Sequence, residues 1–222
     1  MSGDDVPRFE LVPEFGVILL KHVLSTSEQL ALYKQVKDEV KTGQRGVPGN
    51  FHLSSGAAGS SHRRDALHEL GNLLFHRAAT AAASIKEDVS GEDATTMEPS
   101  LNRLQQVLSG ERPADVQYVA GVAYTSTAKL ANHCDMNKPL YTMSLALGEA
   151  CDFTFGEKTA RPYPNERSGK PVSLRMESGD AMFFDGGSIP HAVDGLVAGS
   201  APDWWAKAGP KCSRVSFLFR EA

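Results

Sequence analysis

The last ten residues of the chain, SRVSFLFREA (213–222), decide how its C-terminal half folds. Apolar and polar residues alternate there, which predicts a β-strand with one buried face. The apolar face consists of Val215, Phe217 and Phe219. The other face carries Ser216, Leu218 and two arginines, Arg214 and Arg220. Because a buried guanidinium group requires a partner, this second face meets either solvent or an anion.

The segments before this strand divide into a helical half and a strand-rich half. From about Val116 onward, short apolar runs alternate with glycine, proline and asparagine, which is typical of strands joined by turns. Upstream, the spacing of apolar residues predicts helices over residues 25–40 and 65–86, a third helix that starts at Pro99, and loops over 43–61 and 88–97. Helices followed by strands predict an α+β chain, with the helices packed on one side of a β-sandwich or barrel.

The composition limits the classes of function. The 222 residues carry a formal net charge of −4, which argues against a protein that coats nucleic acid by bulk charge, although a local basic groove is compatible with it. Three cysteines fit a reducing compartment better than a disulfide framework. There is no apolar run of the about 20 residues that a membrane span needs, and no signal-peptide pattern. We expect a soluble, monomeric, intracellular protein, cytoplasmic or nuclear, without a membrane segment.

The segment ANHCDMN (131–137) contains a possible metal-binding pair. His133 and Asp135 are two residues apart, so both side chains project to one face if the segment is a strand. Far downstream, GSIPHAV supplies His191 at the start of another predicted strand. Two imidazoles and a carboxylate form the facial triad of non-haem Fe(II) oxygenases, which leaves positions open for a cosubstrate and O2. The pattern alone is equally compatible with a surface His–Asp pair and an unrelated turn histidine.

The closing arginines favour the metal interpretation. An oxygenase that uses 2-oxoglutarate needs a fixed cation for the distal carboxylate, and the planar fork of arginine can meet a carboxylate with two hydrogen bonds. Arg214 and Arg220 follow the last predicted ligand, and Tyr124 on a preceding strand could add a phenol hydrogen bond. Taken alone, the arginines are better explained as solvent-facing groups on an edge strand. Their order after the three predicted ligands favours a bound cosubstrate instead.

The two histidines and the aspartate, followed by the two closing arginines, occur in the same order as in the AlkB family of Fe(II)/2-oxoglutarate-dependent dioxygenases, and the chain resembles this family. The resemblance covers roughly residues 116–222 and rests on AYTSTAKLANHCD, YTMSLALGEACDFTFG, MESGDAMFFDGG, PHAVDGL and RVSFLFREA. It implies a double-stranded β-helix, or jelly roll, with N-terminal helices packed against one sheet. Residues 1–222 would form a single domain, in which 1–112 are a mostly helical extension with a substrate lid and 113–222 are the jelly-roll core.

The resemblance also implies the cofactors and their ligands. Fe(II) would be held by the His–Asp–His set, with 2-oxoglutarate and O2 as cosubstrates and ascorbate as a reductant in assays. Arg214 would pair with the distal carboxylate of 2-oxoglutarate, helped by Tyr124. Ser216 stands where the family often has asparagine and can still donate a hydrogen bond, whereas Arg220 would lie near the iron-side carboxylate.

For the substrate, the resemblance implies DNA or RNA with alkylated bases, demethylated with release of formaldehyde, succinate and CO2. The candidates for substrate contact are Arg63 and Arg64 in the lid region 44–64, which also contains His52, together with Asn137 and Phe184. Asn137 stands where some family members have an acidic residue that touches the base, so the substrate-reading positions depart from the family's pattern. Hydroxylation of a protein or small molecule, and a non-catalytic binding scaffold, remain alternatives.

Overall fold

The computed structural model describes residues 8–44, 46–53, 61–85, 92–136, 138–161 and 163–221, and for residues 61–64, 85 and 92–98 it describes only the backbone. The strands are β1 (Phe9–Val12), β2 (Val17–Leu20), β3 (Gly49–His52), β4 (Val116–Tyr124), β5 (Leu130–His133), β6 (Tyr141–Gly148), β7 (Cys151–Phe155), β8 (Val172–Met176), β9 (Ala181–Asp185), β10 (His191–Leu196) and β11 (Arg214–Glu221). The helices are α1 (Thr26–Val36), α2 (Ser61–Ile85), α3 (Glu92–Ser109) and α4 (Asp203–Lys207).

The strands form two antiparallel sheets. The large sheet has the order β1-β2-β9-β6-β11-β4-β3, and the small sheet has the order β5-β10-β7-β8. An apolar cluster with members from both sheets, including Tyr124, Phe153, Phe155 and Phe184, fills the space between them. This architecture confirms the predicted jelly roll. No helix within the described ranges has the length and apolarity that crossing a membrane would require.

A second core lies on the other side of the large sheet, beneath the helices. The alternating face of β11 formed by Val215, Phe217 and Phe219 is fully buried there, as predicted. Helix α2 approaches this face so closely that a Cβ on Gly71 would lie 2.8 Å from Cδ1 of Phe219. One strand therefore separates a helix-side core from the space between the sheets.

The structure differs from the sequence prediction in the region assigned to a long loop. Residues Gly49–His52 form β3, which pairs with β4 at the edge of the large sheet. The ring of Phe51 covers Gly121, where a Cβ would lie only 2.0 Å from Phe51 Cζ. The glycine- and proline-rich surroundings of this short strand resemble a loop, because the contact that stabilises it comes from a residue far along the chain.

Helix α3 also starts earlier than predicted. It begins at Glu92, so the polar segment 88–97 is helical from residue 92 onward and Pro99 lies inside the helix instead of at its start. A proline inside a helix removes one backbone hydrogen bond. Burial of Leu104 and Val107 in the helix-side core offsets this cost. The predicted start of α1 is confirmed, because Ser25 and Glu28 form a reciprocal capping box.

A buried ion pair fixes the end of β11. Arg103 of α3 donates from Nε to Oε2 of Glu221 over 2.7 Å, and its Nη2 donates to the other carboxylate oxygen. Arg103 also donates to the carbonyl oxygens of Arg112 and Pro113. Both members of the pair are at least 95 % buried. The residue that follows Arg220 is therefore held to the helical layer by several charge-assisted hydrogen bonds.

Candidate active site

Two histidines from neighbouring strands of the small sheet face each other. His133 ends β5, His191 begins β10, and the two are register partners with ring centroids 4.5 Å apart. Asp135 lies two residues beyond the end of β5, in a bend and not on the strand as predicted. Its carboxylate oxygens are 3.6 Å from His133 Nε2 and 3.9 Å from His191 Nε2. The structure thus brings all three predicted ligands together.

Backbone carbonyls set the orientation of both imidazoles. Nδ1 of His133 donates to the carbonyl oxygen of Ala131 over 2.8 Å, and Nδ1 of His191 donates to that of Ile189 over 2.9 Å. A carbonyl oxygen only accepts, so the proton of each neutral ring resides on Nδ1. Nε2 of each ring is then free of a proton and points toward Asp135, as a metal ligand requires.

The turn after β9 positions Asp135. The Asp135 N–H donates to the carbonyl oxygen of Gly186 over 2.8 Å, and the Gly186 N–H donates to that of Leu140 over 2.9 Å. The buried carboxylate of Asp185 accepts from the N–H groups of Leu140, Gly187 and Ser188. A Cβ on Gly186 would lie 2.6 Å from Asp135 Oδ2. The sequence analysis did not indicate the role of Asp185.

The electrostatics of the three residues favour metal binding. Burial lowers the pKa of His191 to about 4, so this imidazole is neutral at physiological pH. Burial alone would lower the pKa of His133, but the adjacent carboxylate of Asp135, which stabilises the protonated ring, outweighs it and raises that pKa. Burial alone would raise the pKa of Asp135, but the adjacent imidazoles of His133 and His191 and the charge of Arg220 lower it. The carboxylate is therefore ionised.

A cavity of about 400 Å³ opens between the two sheets beside these residues. Its walls include side chains from β3, β4, β6, β9 and β11 of the large sheet and from the small sheet opposite. They are Asn50, Phe51, His52, Tyr118, Ala120, Val122, Tyr124, Leu130, His133, Asp135, Ser144, Phe153, Phe184, His191, Ser216, Leu218 and Arg220. Asn50, His52 and Tyr118 had no individual site role in the sequence prediction, although Asn50 and His52 fall within the predicted lid region 44–64. The alternation of Tyr118 with Ala120, Val122 and Tyr124 along one strand was the signal that could have found Tyr118.

Arg214, the first residue of β11, is fully buried. Its Nη1 donates to the carbonyl oxygens of Glu149 (2.9 Å) and Met176 (3.2 Å), and its Nε donates to Ser216 Oγ over 3.3 Å. Nη2 is buried and has no hydrogen-bond partner in the described part of the chain. Tyr124 is the register partner of Arg214 on β4, and burial raises the pKa of its phenol. A cation with a free donor thus lies beside a protonated phenol.

Arg220 lies at the other end of the same strand face. Its Nη2 is 2.8 Å from Oδ1 of Asp135, and its buried Nε has no hydrogen-bond partner among the described residues. The hydroxyl of Ser144, which also lines the cavity, is likewise buried without a partner within the described ranges. The cavity wall therefore presents unsatisfied donors at several points along its length.

The comparisons with known proteins identify the family. The sequence profile of the 2OG-Fe(II) oxygenase superfamily matches residues 16–220. The chain belongs to this superfamily. A search of curated proteins finds no match. Because it belongs to this superfamily, the protein is an Fe(II)- and 2-oxoglutarate-dependent oxygenase.

Solved structures with the same fold include several members of this superfamily. OsALKBH1 is 18% identical and superposes with a TM-score of 0.63, over 93% of this chain and 98% of that one. A 2OG-Fe(II) oxygenase family oxidoreductase from Burkholderia pseudomallei is 13% identical, with a TM-score of 0.52, over 92% and 83%. The epimerase SnoN from nogalamycin biosynthesis is 15% identical, with a TM-score of 0.52, over 93% and 76%. The fold is thus AlkB-like.

The residues present fit the metal of the superfamily. One ligand atom from each of His133, Asp135 and His191 can be chosen so that all three lie within 4.8 Å of one another. Oδ2 of Asp135 is buried and has no hydrogen-bond partner among the residues described, which is costly unless a cation approaches it. Two imidazoles and a carboxylate would occupy one side of an Fe(II) ion.

The second cosubstrate also has a fitting set of groups. The free Nη2 of Arg214 and the Tyr124 phenol offer donors for one carboxylate, and the unpartnered Nε of Arg220 offers a donor nearer the metal residues. A dicarboxylate would satisfy buried donors that otherwise cost free energy. The assignment of Tyr124, Arg214, Ser216 and Arg220 to 2-oxoglutarate stays a prediction that this arrangement favours.

Of the four predicted substrate residues, only the side chain of Phe184 lies in the described part of the structure. Phe184 lines the cavity but is 1% exposed, and its ring packs edge-on against His191 with centroids 5.0 Å apart. Phe184 therefore supports a predicted metal ligand in addition to lining the cavity. Arg63 and Arg64 lie in the first turn of α2, but their side chains lie outside the described part, as does Asn137. Their role in substrate binding stays a prediction.

A second cluster of possible metal ligands differs from the first because a lysine of the chain already pairs with its carboxylates. His22, Glu177 and Asp180 come together on the surface near the start of β9. The ammonium group of Lys21 lies 2.6 Å from Asp180 and 3.6 Å from Glu177, so a cation of the chain already neutralises this cluster. The carboxylate of Asp180 also accepts from the His22 and Glu177 N–H groups. The position of the Asp180 carboxylate is therefore explained by Lys21 and by the backbone N–H groups that it binds.

Proposed function

We propose that this oxygenase removes alkyl groups from nitrogen atoms of nucleobases in DNA or RNA. The observation that carries the proposal is the convergence of His133, Asp135, His191 and Arg220 on one cavity, in a chain whose fold matches OsALKBH1 over 98% of that protein. Arg214 is buried beside Tyr124 and Ser216, which line the same cavity. The order of the three proposed ligands and the two arginines is the feature by which the sequence resembles the AlkB family. The cavity of about 400 Å³ has room for a base that is turned out of a strand.

The metal-binding residues, the residues for the cosubstrate and the aromatic groups around them have separate parts in the proposed reaction. His133, Asp135 and His191 would hold Fe(II), which when bound with 2-oxoglutarate activates O2 for hydroxylation of a C–H bond. The buried guanidinium of Arg214, with the Tyr124 phenol, would fix the distal carboxylate and so orient the cosubstrate. The aromatic groups around His191 keep water away from the reacting centre.

The products follow from the position of the oxidised carbon. Hydroxylation of an N-methyl group gives a hemiaminal, in which the C–N bond breaks as the hydroxyl proton is lost. The electron pair of the broken C–N bond stays on the nitrogen of the base, and the methyl carbon leaves as formaldehyde. An exocyclic nitrogen takes up a proton with that pair, whereas a ring nitrogen that was cationic becomes neutral and the hydroxyl proton goes to solvent. One oxygen atom of O2 enters the hydroxyl group and the other enters succinate, which forms from 2-oxoglutarate with loss of CO2.

Oxidation of a small molecule is the second candidate. The formal net charge of −4 is mild but offers no bulk attraction to phosphates. The fold is also that of SnoN, described as an α-ketoglutarate-dependent epimerase, and of HygX from Streptomyces hygroscopicus, which is 10% identical with a TM-score of 0.51 over 93% of this chain and 82% of that one. For this candidate, turnover would be stimulated by a small substrate and not by any oligonucleotide.

One assay separates these candidates. The protein is incubated with Fe(II), ascorbate and 2-oxoglutarate, together with oligonucleotides that carry N-methylated bases, methylated nucleosides, peptides or small hydroxylatable compounds. Formaldehyde and succinate are measured for each. The proposed function predicts formaldehyde in a 1:1 ratio to succinate with a methylated oligonucleotide. Succinate stimulated only by peptides or small molecules would contradict it.

The matched controls are single substitutions of histidines and of the ligand carboxylate. His133→Ala, Asp135→Ala and His191→Ala should each abolish 2-oxoglutarate turnover and lower the iron content, because each removes one of three protein ligands. His22→Ala, which changes a histidine exposed at the surface, should leave turnover unchanged. Full activity of Asp135→Ala would rule out the metal assignment.

A further inference from the structure

The wall of the cavity that faces the metal residues carries a histidine and a tyrosine. Tyr118 of β4 is the register partner of Arg220 of β11, so the two side chains lie on one face of the large sheet with Cβ atoms about 5 Å apart. Arg220 in turn contacts Asp135. Tyr118 is therefore one strand away from a residue that touches a proposed metal ligand.

His52 extends this wall at the edge of the sheet. It pairs with Ala120 across β3 and β4 and lies diagonally beside Tyr118 on the same face. The two rings meet edge to face, with centroids 5.6 Å apart and planes inclined by 69°. A hydrogen bond joins the Tyr118 hydroxyl and His52 Nδ1. His52 is exposed and Tyr118 is half-buried, so a molecule entering the cavity from outside can reach both.

The hydrogen bond leaves a definite pattern of free polar atoms. If Tyr118 donates, His52 retains an Nε2–H donor and the phenol oxygen remains an acceptor. If His52 donates from Nδ1, the phenol O–H remains a donor and His52 Nε2 an acceptor. In either tautomer, the pair presents one free donor and one free acceptor next to aromatic surface.

We propose that Tyr118 and His52 form the wall that holds the base of the substrate in front of the metal residues. Their ring faces offer stacking surface to a flat heterocycle, and their free donor and acceptor match the alternating donors and acceptors at the edge of a base. Aliphatic substrates gain little from either feature. The inference rests on the proposed function, because it takes a nucleobase as the substrate.

The test compares the affinity of the protein for an oligonucleotide that carries an alkylated base with its affinity for one that lacks the base at the same position. Single-stranded oligonucleotides of one sequence carry 1-methyladenine, 3-methylcytosine or N6-methyladenine, or an abasic residue, at one central position. Binding to the protein with Fe(II) and 2-oxoglutarate is measured by fluorescence anisotropy under argon, so that the base is not consumed. We expect the best of the three bases to bind at least about fivefold more tightly than the abasic oligonucleotide, since stacking contributes about 1–3 kcal/mol per base.

The variants assign that preference to the two residues. Tyr118→Ala should reduce the base-to-abasic ratio to near one, His52→Ala should reduce it at least threefold, and neither should change the abasic affinity. Tyr118→Phe retains the ring and should keep more of the preference than Tyr118→Ala. Gln117→Ala, a control at the adjacent exposed residue that does not line this cavity, should behave as the unsubstituted protein. Melting temperatures check that each variant folds.

The two possible failures have different signatures. In the first, the unsubstituted protein prefers the alkylated oligonucleotide, and Tyr118→Ala and His52→Ala both keep the same ratio of alkylated to abasic affinity. That result would overturn the inference but would not contradict the nucleobase function. If the unsubstituted protein does not distinguish any of the three bases from an abasic residue, the nucleobase function itself fails. Should Tyr118→Ala not fold, His52→Ala and Tyr118→Phe decide, because a full preference in both contradicts the proposal.

Discussion

The guanidinium group of Arg220 lies against the carboxylate of Asp135, with 2.8 Å between Nη2 and Oδ1. Arg220 belongs to β11 of the large sheet, whereas Asp135 follows β5 of the small sheet. The contact therefore joins the two sheets at the wall of the cavity, which both residues line. It also contributes to lowering the pKa of Asp135, and so helps to keep this carboxylate ionised and oriented before any metal binds.

The buried position of Arg214 leads to a prediction about cosubstrate affinity. Arg214→Lys keeps the positive charge but loses the planar fork, so the KM for 2-oxoglutarate should rise tenfold or more, since a charge-assisted hydrogen bond contributes about 1.5–3 kcal/mol. Iron content should stay the same, because Arg214 is not a metal ligand. Titration of 2-oxoglutarate against succinate production measures the effect. Arg175→Lys, at an exposed ion pair with Asp152, is the control and should have no effect. An unchanged KM in Arg214→Lys would exclude the carboxylate assignment.

Gly186 should be required for the position of Asp135. In Gly186→Ala, the added Cβ would lie 2.6 Å from Asp135 Oδ2, so the carboxylate must move and the affinity for Fe(II) should fall at least tenfold while the fold persists. Gly195→Ala on β10 is the matched control, because no atom of the described chain lies within 4 Å of a Cβ there. Co(II) titration followed by absorbance measures the affinity. Equal affinities in the two variants would contradict the proposed role.

The two histidines should contribute differently to the pH dependence of metal binding. A proton on His133 competes with the metal at pH values below its raised pKa, whereas His191, with a pKa of about 4, is already neutral there. Metal affinity should therefore fall as the pH drops, and between about pH 5 and 6.5 its logarithm should change by about one unit per pH unit. Calorimetric titration with Co(II) at several pH values gives this slope. A slope near two would show that both imidazoles lose a proton on binding.

The buried pair of Arg103 and Glu221 should be important for stability. Removal of one member leaves an uncompensated buried charge, so Glu221→Ala should lower the free energy of unfolding by about 3–5 kcal/mol. Asp152→Ala, which breaks an exposed ion pair with Arg175, should change it by only about 0–1 kcal/mol. Urea denaturation followed by circular dichroism measures both. A loss of less than 1 kcal/mol in Glu221→Ala would show that the pair contributes little.

Local patterns predicted the strands from Val116 onward and the order of the candidate site residues, because the alternation in β11 and the spacing of His133 and Asp135 are properties of neighbouring residues. The remainder depends on partners that are distant in sequence. Strand β3 is stabilised by the contact of Phe51 with Gly121, and α3 continues through Pro99 because its far end is buried. The buried pair of Arg103 and Glu221 joins residues 118 positions apart, which no local pattern indicates.

The two faces of β11 have a consequence for how mutations act on this protein. Odd-numbered residues from Val215 to Phe219 stabilise the helical layer, while Arg214 and Arg220 lie on the face toward the cavity. Insertion or deletion of a single residue within this strand would reverse the facing of the residues on one side of the change, placing a guanidinium group in the apolar core or a phenylalanine in the cavity. Selection on folding and selection on catalysis therefore act together on the length of this segment, whereas a side chain such as that of Ser216 can change without altering the register.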